Sequence, residues 1–191
     1  MSEKRKYPRA VALDAAREVI AALRPVCLEG RIIVAGSLRR RRLEVGDVEI
    51  IYVSRYENRQ VPGDMFKRHD YDLADIAIDE LESAGVLAKR ESIIGSITYG
   101  PKNKLMRHVR TGVPVDLFLT NETNWDNYLV CRTGPKESNI ALANAARDRG
   151  WKWTPYGSGF VRADGGDIHP ATSERDVFEF VGINYKEPWE R

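Results

Sequence analysis

The chain has 191 residues, of which 42% are hydrophobic and 30% charged, with a formal net charge of +2. A chain of this size can bury roughly 70% of its unfolded surface, in one good core or two small ones. Two cysteines and three histidines without zinc spacing exclude a Cys-rich metal site, and neither a membrane-length apolar run nor a signal-peptide pattern is present, so a soluble, reducing, cytoplasmic protein is expected.

In chain order, a helix is expected over residues 9–26, with Val11, Ala15, Val19, Ala22 and Leu23 forming its buried face. Residues 31–35 carry Ile32, Ile33 and Val34 and read as a short buried strand, ended by Gly36-Ser37. The glycine lets backbone approach a ligand, and the Ser37 hydroxyl, exposed amides and Arg40 offer phosphate contacts. Gly46 opens a second strand over residues 47–53. Its alternation places Asp47, Glu49 and Ile51 on one face and Val48, Ile50 and Tyr52 on the other. Two carboxylates side by side repel, and a hard divalent cation such as Mg²⁺ relieves that repulsion.

Residues 54–68 read as a polar excursion with a turn at Pro62-Gly63. An amphipathic helix follows over residues 70–84, stopped by Gly85, with its acids facing water. Strands are expected at 92–99, 104–110 and 113–120. The last holds Asp116 among Val115, Leu117 and Phe118, and a carboxylate in an apolar setting needs a partner. Asp116 beside Asp47 and Glu49 would complete a two-ion site of the kind that stabilises both oxygens of an in-line displacement.

Further helices are expected at 125–131, 136–149 and 174–180, with small strands around 151–161 in which Trp151 and Trp153 pack a core. Basic clusters lie at residues 4–6, 39–42, 102–110 and 147–152, a distribution that suits a phosphate track better than the small net charge suggests. The expected fold class is α+β: a mixed sheet with helices on one side over residues 1–121, followed by a small α/β subdomain over residues 122–191.

The Gly36-Ser37-Leu38-Arg39-Arg40 turn, the Gly46-Asp47-Val48-Glu49 strand and the Val115-Asp116 strand together resemble the family X DNA polymerases. Thr133-Gly134-Pro135 resembles that family's Thr-Gly-Ser turn, and Asn139 matches the asparagine that meets the incoming nucleotide. In the family the bond after this glycine is cis, and Pro135 is the residue type for which that geometry is cheap. The segment 173–188 resembles the family's C-terminal helix and Tyr-x-x-Pro tail, so the resemblance implies a nucleotidyltransferase palm over residues 1–121 and a thumb over residues 122–191.

The resemblance implies a DNA-directed DNA polymerase in repair or gap filling, adding dNMP from a dNTP to a primer 3′-hydroxyl. Asp47, Glu49 and Asp116 would be the catalytic carboxylates and the ligands of two Mg²⁺ ions, with Mn²⁺ as a substitute. Gly36, Ser37, Arg40, Gly46, Gly134, Lys136 and Asn139 would bind the nucleotide, while Lys102, Lys104 and Arg107 would contact the DNA. The expected partners are primer-template or gapped DNA and a nucleoside triphosphate, with no membrane and a monomeric protein. Because the family's N-terminal helical modules have no counterpart in the sequence, lyase activity is not expected. Glu49 stands where the family usually has aspartate, and Cys131 and Arg132 where it often has aromatics. Two other readings stay open: a template-independent or RNA-directed nucleotidyltransferase, and a non-catalytic nucleic-acid-binding relative.

Overall fold

The computed structural model describes residues 5–64, 66–92, 95–157 and 159–191. Lys4 of the first basic cluster, Met65 of the polar excursion, Ile93 and Ile94 of the strand expected at 92–99, and Ser158 of the small strand group lie outside the described residues.

The chain opens with β1 (Tyr7–Pro8) and α1 (Arg9–Leu23), then β2 (Cys27–Val34), α2 (Gly36–Arg39), β3 (Glu44–Val45) and β4 (Val48–Ser54). The buried stripe of α1 is Ala12, Ala15, Ala16, Val19 and Leu23, a spacing of three and four that small residues allow to lie close to the sheet. Val11 and Ala22, expected on that face, are exposed, because the stripe passes through Ala12 and Ala16 instead.

The polar excursion is an ordered ribbon in which β5 (Tyr56–Gln60) pairs antiparallel with β6 (Arg68–Asp72). Its polar residues hid it, because both faces are largely solvated and the alternation carries no apolar signal. The helix α3 (Leu73–Ser83) starts three residues later than expected, where the Asp72 carboxylate accepts from the amides of Ala74 and Asp75.

Next come β7 (Leu87–Lys89), β8 (Asn103–His108) and β9 (Pro114–Leu119). The central sheet has the order β2-β4-β9-β8-β7, with β4 and β9 parallel and the other neighbours antiparallel. Val48, Ile50 and Tyr52 face the main core under α1 and α3. Ile51 and Val53 face the opposite side, where Trp125, Tyr128 and Leu129 of α4 (Trp125–Thr133) cover them. The alternation read from β4 therefore separates two cores, and the acids share the second face.

The remaining elements are α5 (Lys136–Asp148), β10 (Trp151–Thr154), β11 (Gly159–Arg162), β12 (Ile168–His169) and α6 (Glu174–Glu179), with the last three strands in one antiparallel sheet. Their own core includes Leu142, Trp153, Phe160, Val177 and Phe178. Trp153 is buried and Trp151 packs edge-on to Phe180, so both tryptophans serve packing. Buried Asn127 joins α4 to β10: it accepts from the Trp153 indole at 2.6 Å and donates to the Thr154 carbonyl at 2.9 Å. Among the described residues no helix is long and apolar enough to cross a membrane.

Lys104 departs from its expected DNA contact. Register in β8 puts it on the same side as Met106 and His108, toward the helices, where its side chain is 2% exposed and its ammonium lies 2.6 Å from Asp75 of α3. Asp75, expected to face water, is its counter-ion, and burial nevertheless raises the pKa of that carboxyl. Removing one member of a buried pair leaves the other uncompensated. Lys104→Ala is expected to lower unfolding free energy by about 2 kcal/mol or more, with Lys104→Met costing less. Urea denaturation checks this, and equal stability of Lys104→Ala and the parent would contradict it.

Candidate active site

The site grows from the pairing of β2 with β4. The Ala35 amide donates to the Glu49 carbonyl at 2.8 Å, which delivers the next residue, Gly36, directly over the Glu49 side chain. Gly36 has φ +58°, and a Cβ there would run into the Glu49 carboxylate. The positive φ favours glycine here, and any side chain would have to displace the Glu49 carboxylate. Ser37 follows in α2, and Asp47 directly precedes β4 after the buried Gly46.

The parallel pairing of β4 with β9 sets Glu49 opposite Asp116. Burial, and then repulsion from Asp47 and Asp116, push the Glu49 carboxyl up to about 7, although Arg132 and Arg40 pull the other way. Three carboxylates thus share one end of the sheet. Two arginines answer them. Arg90, just after β7, forms an ion pair with Asp116, and Arg132 of α4 brings its guanidinium to 3.9 Å from Glu49. Arg132 also stacks on Phe118, 3.6 Å from the ring centroid. Its Nε is buried and without a hydrogen-bond partner.

The donor set fits a hard divalent cation in chemistry: all-oxygen carboxylates, one of them buried and raised in pKa by its like-charged neighbours. Among the described residues no three acidic, histidine or cysteine groups already stand in a metal-ligating arrangement. Ligation by Asp116 would require the Arg90 pair to yield.

Next to the carboxylates a cavity of about 590 Å³ is lined by Arg40, Arg132, Gly134, Lys136 and Asn139, together with Cys131 and Tyr156. Four of the expected nucleotide-binding residues therefore meet around one space. Arg40 reaches the Thr133 carbonyl, and Gly134, at φ +63° and followed by a cis bond to Pro135, lies close beneath the Arg40 guanidinium. Asn139 donates to the Cys131 carbonyl at 2.8 Å, while its Oδ1 is buried and without a partner.

The basic cluster at 39–42 is not an open phosphate track. Arg39 forks onto Glu174 at 2.5 and 2.8 Å and donates to the Thr133 hydroxyl at 2.7 Å. Arg41 stacks on Trp189, and Arg42 donates to the Arg191 carbonyl. These arginines fasten the α2 turn to the C-terminal third of the chain, leaving Arg40 to face the cavity. Arg110 is likewise held by Asp14 and Glu18 of α1, while Lys102 and Arg107 are exposed. The sequence reading missed Arg90 entirely, since nothing near it in the chain marks it. The position of Arg132 beside Thr133-Gly134 was its available signal.

Glu49 supplies a test that needs no ligand. In the unfolded chain the carboxyl ionises near 4.5, and in the fold near 7, so the fold loses stability as pH rises between these values and the loss is complete above 7. With chelator present, Glu49→Gln is expected to match the parent near pH 4.5 and to melt about 5 °C above it at pH 8. A variant no more stable than the parent at pH 8 would contradict the buried-charge account.

Residues 128–191 match the DNA polymerase beta thumb family. No curated protein matches the chain. Among solved structures the chain is similar to Leishmania infantum polymerase beta, crystallised as a ternary P/T complex, with a TM-score of 0.72 at 19% identity over 98% of this chain and 77% of that one. The chain thus has a polymerase beta-like fold through nearly its whole length, and its last third matches the polymerase beta thumb family.

Proposed function

We propose that the chain is a DNA-directed DNA polymerase that fills gaps, transferring a nucleoside monophosphate from a dNTP to a primer 3′-hydroxyl with release of pyrophosphate. One observation carries this reading: Glu49 and Asp116 stand in register on parallel strands beneath the Gly36 turn, beside a cavity that collects Arg40, Gly134, Lys136 and Asn139.

Asp47, Glu49 and Asp116 would hold two Mg²⁺ ions, or Mn²⁺ in their place. The ions, when bound, supply Lewis-acid stabilisation of the attacking and leaving oxygens. The chain's own residues do the rest. Ser37 and Arg40 grip the triphosphate, Arg40 neutralising charge that gathers on the leaving pyrophosphate. Gly46, buried just before Asp47, is a further proposed nucleotide contact. Gly134 keeps backbone low under the Arg40 guanidinium. The Asn139 Oδ1, lacking a partner, is free to accept from the nucleotide, and the exposed Lys136 supplies charge at the rim. Arg90 pairs with Asp116, and Arg132 offsets part of the repulsion that raises Glu49. Lys102 and Arg107, both exposed, remain as contacts to the DNA backbone.

A one-nucleotide gapped substrate with Mg²⁺, offered dNTPs or rNTPs, tests this directly. Template-directed dNTP incorporation is expected, with Asp116→Ala reducing it by at least about a thousand-fold. Extension at equal rate without a template strand, or none by the parent protein, would overturn the reading.

A further inference from the structure

A second cavity, of about 500 Å³, opens on the carboxylate-bearing face of the sheet. Asn103 pairs with Phe118 in the register of β8 with β9, two positions along β9 from Asp116 and on the same side. The cavity therefore begins roughly 7 Å from that carboxylate along the strand. Arg132 stands in the wall between the two cavities.

Its lining has a definite chemistry. Tyr56, Tyr128 and Tyr156 contribute aromatic surface, with the last two rings edge to face at 5.3 Å. Two of its lining residues each carry a buried side-chain polar atom without a hydrogen-bond partner: Asn103 its Oδ1, an acceptor, and Arg132 its Nε, a donor. Exposed Lys102 adds a cation. Flat aromatic walls, a donor and an acceptor left for a planar polar edge, and a cation for an anion describe the complement of a nucleotide unit. None of these residues other than Arg132 and Tyr156 touches the cavity assigned to the incoming nucleotide.

We propose that this cavity captures one unpaired nucleobase of the bound strand, its ring against the tyrosines, its edge on Asn103 and Arg132, and its phosphate at Lys102. The inference rests on the reading of the chain as a nucleic-acid enzyme, but binding tests it without catalysis. A free mononucleotide offers the same chemistry, so both sources enter the experiment.

Fluorescence anisotropy would compare a hairpin duplex carrying a three-nucleotide single-stranded overhang with the same hairpin whose overhang is abasic. The parent is expected to bind the base-bearing overhang about ten-fold more tightly. Asn103→Ala and Tyr56→Ala, at separate points of the lining, are each expected to reduce that preference at least about three-fold while affinity for the abasic hairpin stays unchanged. Equal binding of the two hairpins by the parent, or equal weakening of both by the variants, would overturn the proposal. Free thymidine monophosphate binding as tightly as the overhang, with sensitivity to Asn103→Ala, would overturn the strand as the source. Gapped-substrate extension by the same preparation separates the two claims: a protein that discriminates the base but never extends the primer removes the polymerase reading and keeps this one.

Discussion

Two carboxylates held in register on adjacent parallel strands repel each other, and much of this molecule consists of what makes that repulsion tolerable. Glu49 opposite Asp116, with Asp47 just before the strand, is a concentration of negative charge that burial aggravates. The fold answers with Arg90 on Asp116 and Arg132 near Glu49, one from the edge of the sheet and one from the thumb. Because Arg132 belongs to α4, the charge balance of the sheet depends on that helix being packed against it.

The C-terminal part is held by the apolar cover that α4 gives Ile51 and Val53 and by a charged clasp. Arg39 joins the end of the Gly36 turn to Glu174 and Thr133, and Arg191 also reaches Glu174, so one carboxylate on α6 gathers the turn and the C-terminus. These side chains are mostly shielded from water, so salt screens their attraction little while their desolvation offsets part of it. The turn that carries Gly36, Ser37 and Arg40 is thereby held between the carboxylates on one side and the thumb on the other. A site assembled in this way is preorganised by parts distant in the chain.

How much of this the sequence disclosed follows from the type of signal each feature leaves. The β4 alternation was readable because Val48, Ile50 and Tyr52 enter one core and Ile51 and Val53 another, and period-two patterning reports such division. Gly36, Gly134 and Asn139 were readable as parts of motifs with fixed spacing. The β5–β6 ribbon left no apolar trace, so it passed for a loop. Lys104 was misplaced because a basic residue in a hairpin suggests solvent, although its parity with Met106 and His108 pointed inward. Arg90 and the cavity at Asn103 depend on contacts between distant segments, which a linear reading does not contain.

The proposed function requires Asp47, Glu49 and Asp116 to act as one ion-binding unit beside Arg90 and Arg132. Electron paramagnetic resonance of Mn²⁺, titrated into the protein with a non-hydrolysable dNTP and gapped DNA, measures this directly. The account requires two ions bound per chain in the parent and loss of both from a variant carrying Glu49→Gln and Asp116→Asn. A parent protein that binds no more Mn²⁺ than the nucleotide carries by itself, or a double variant that binds as many ions as the parent, would contradict it.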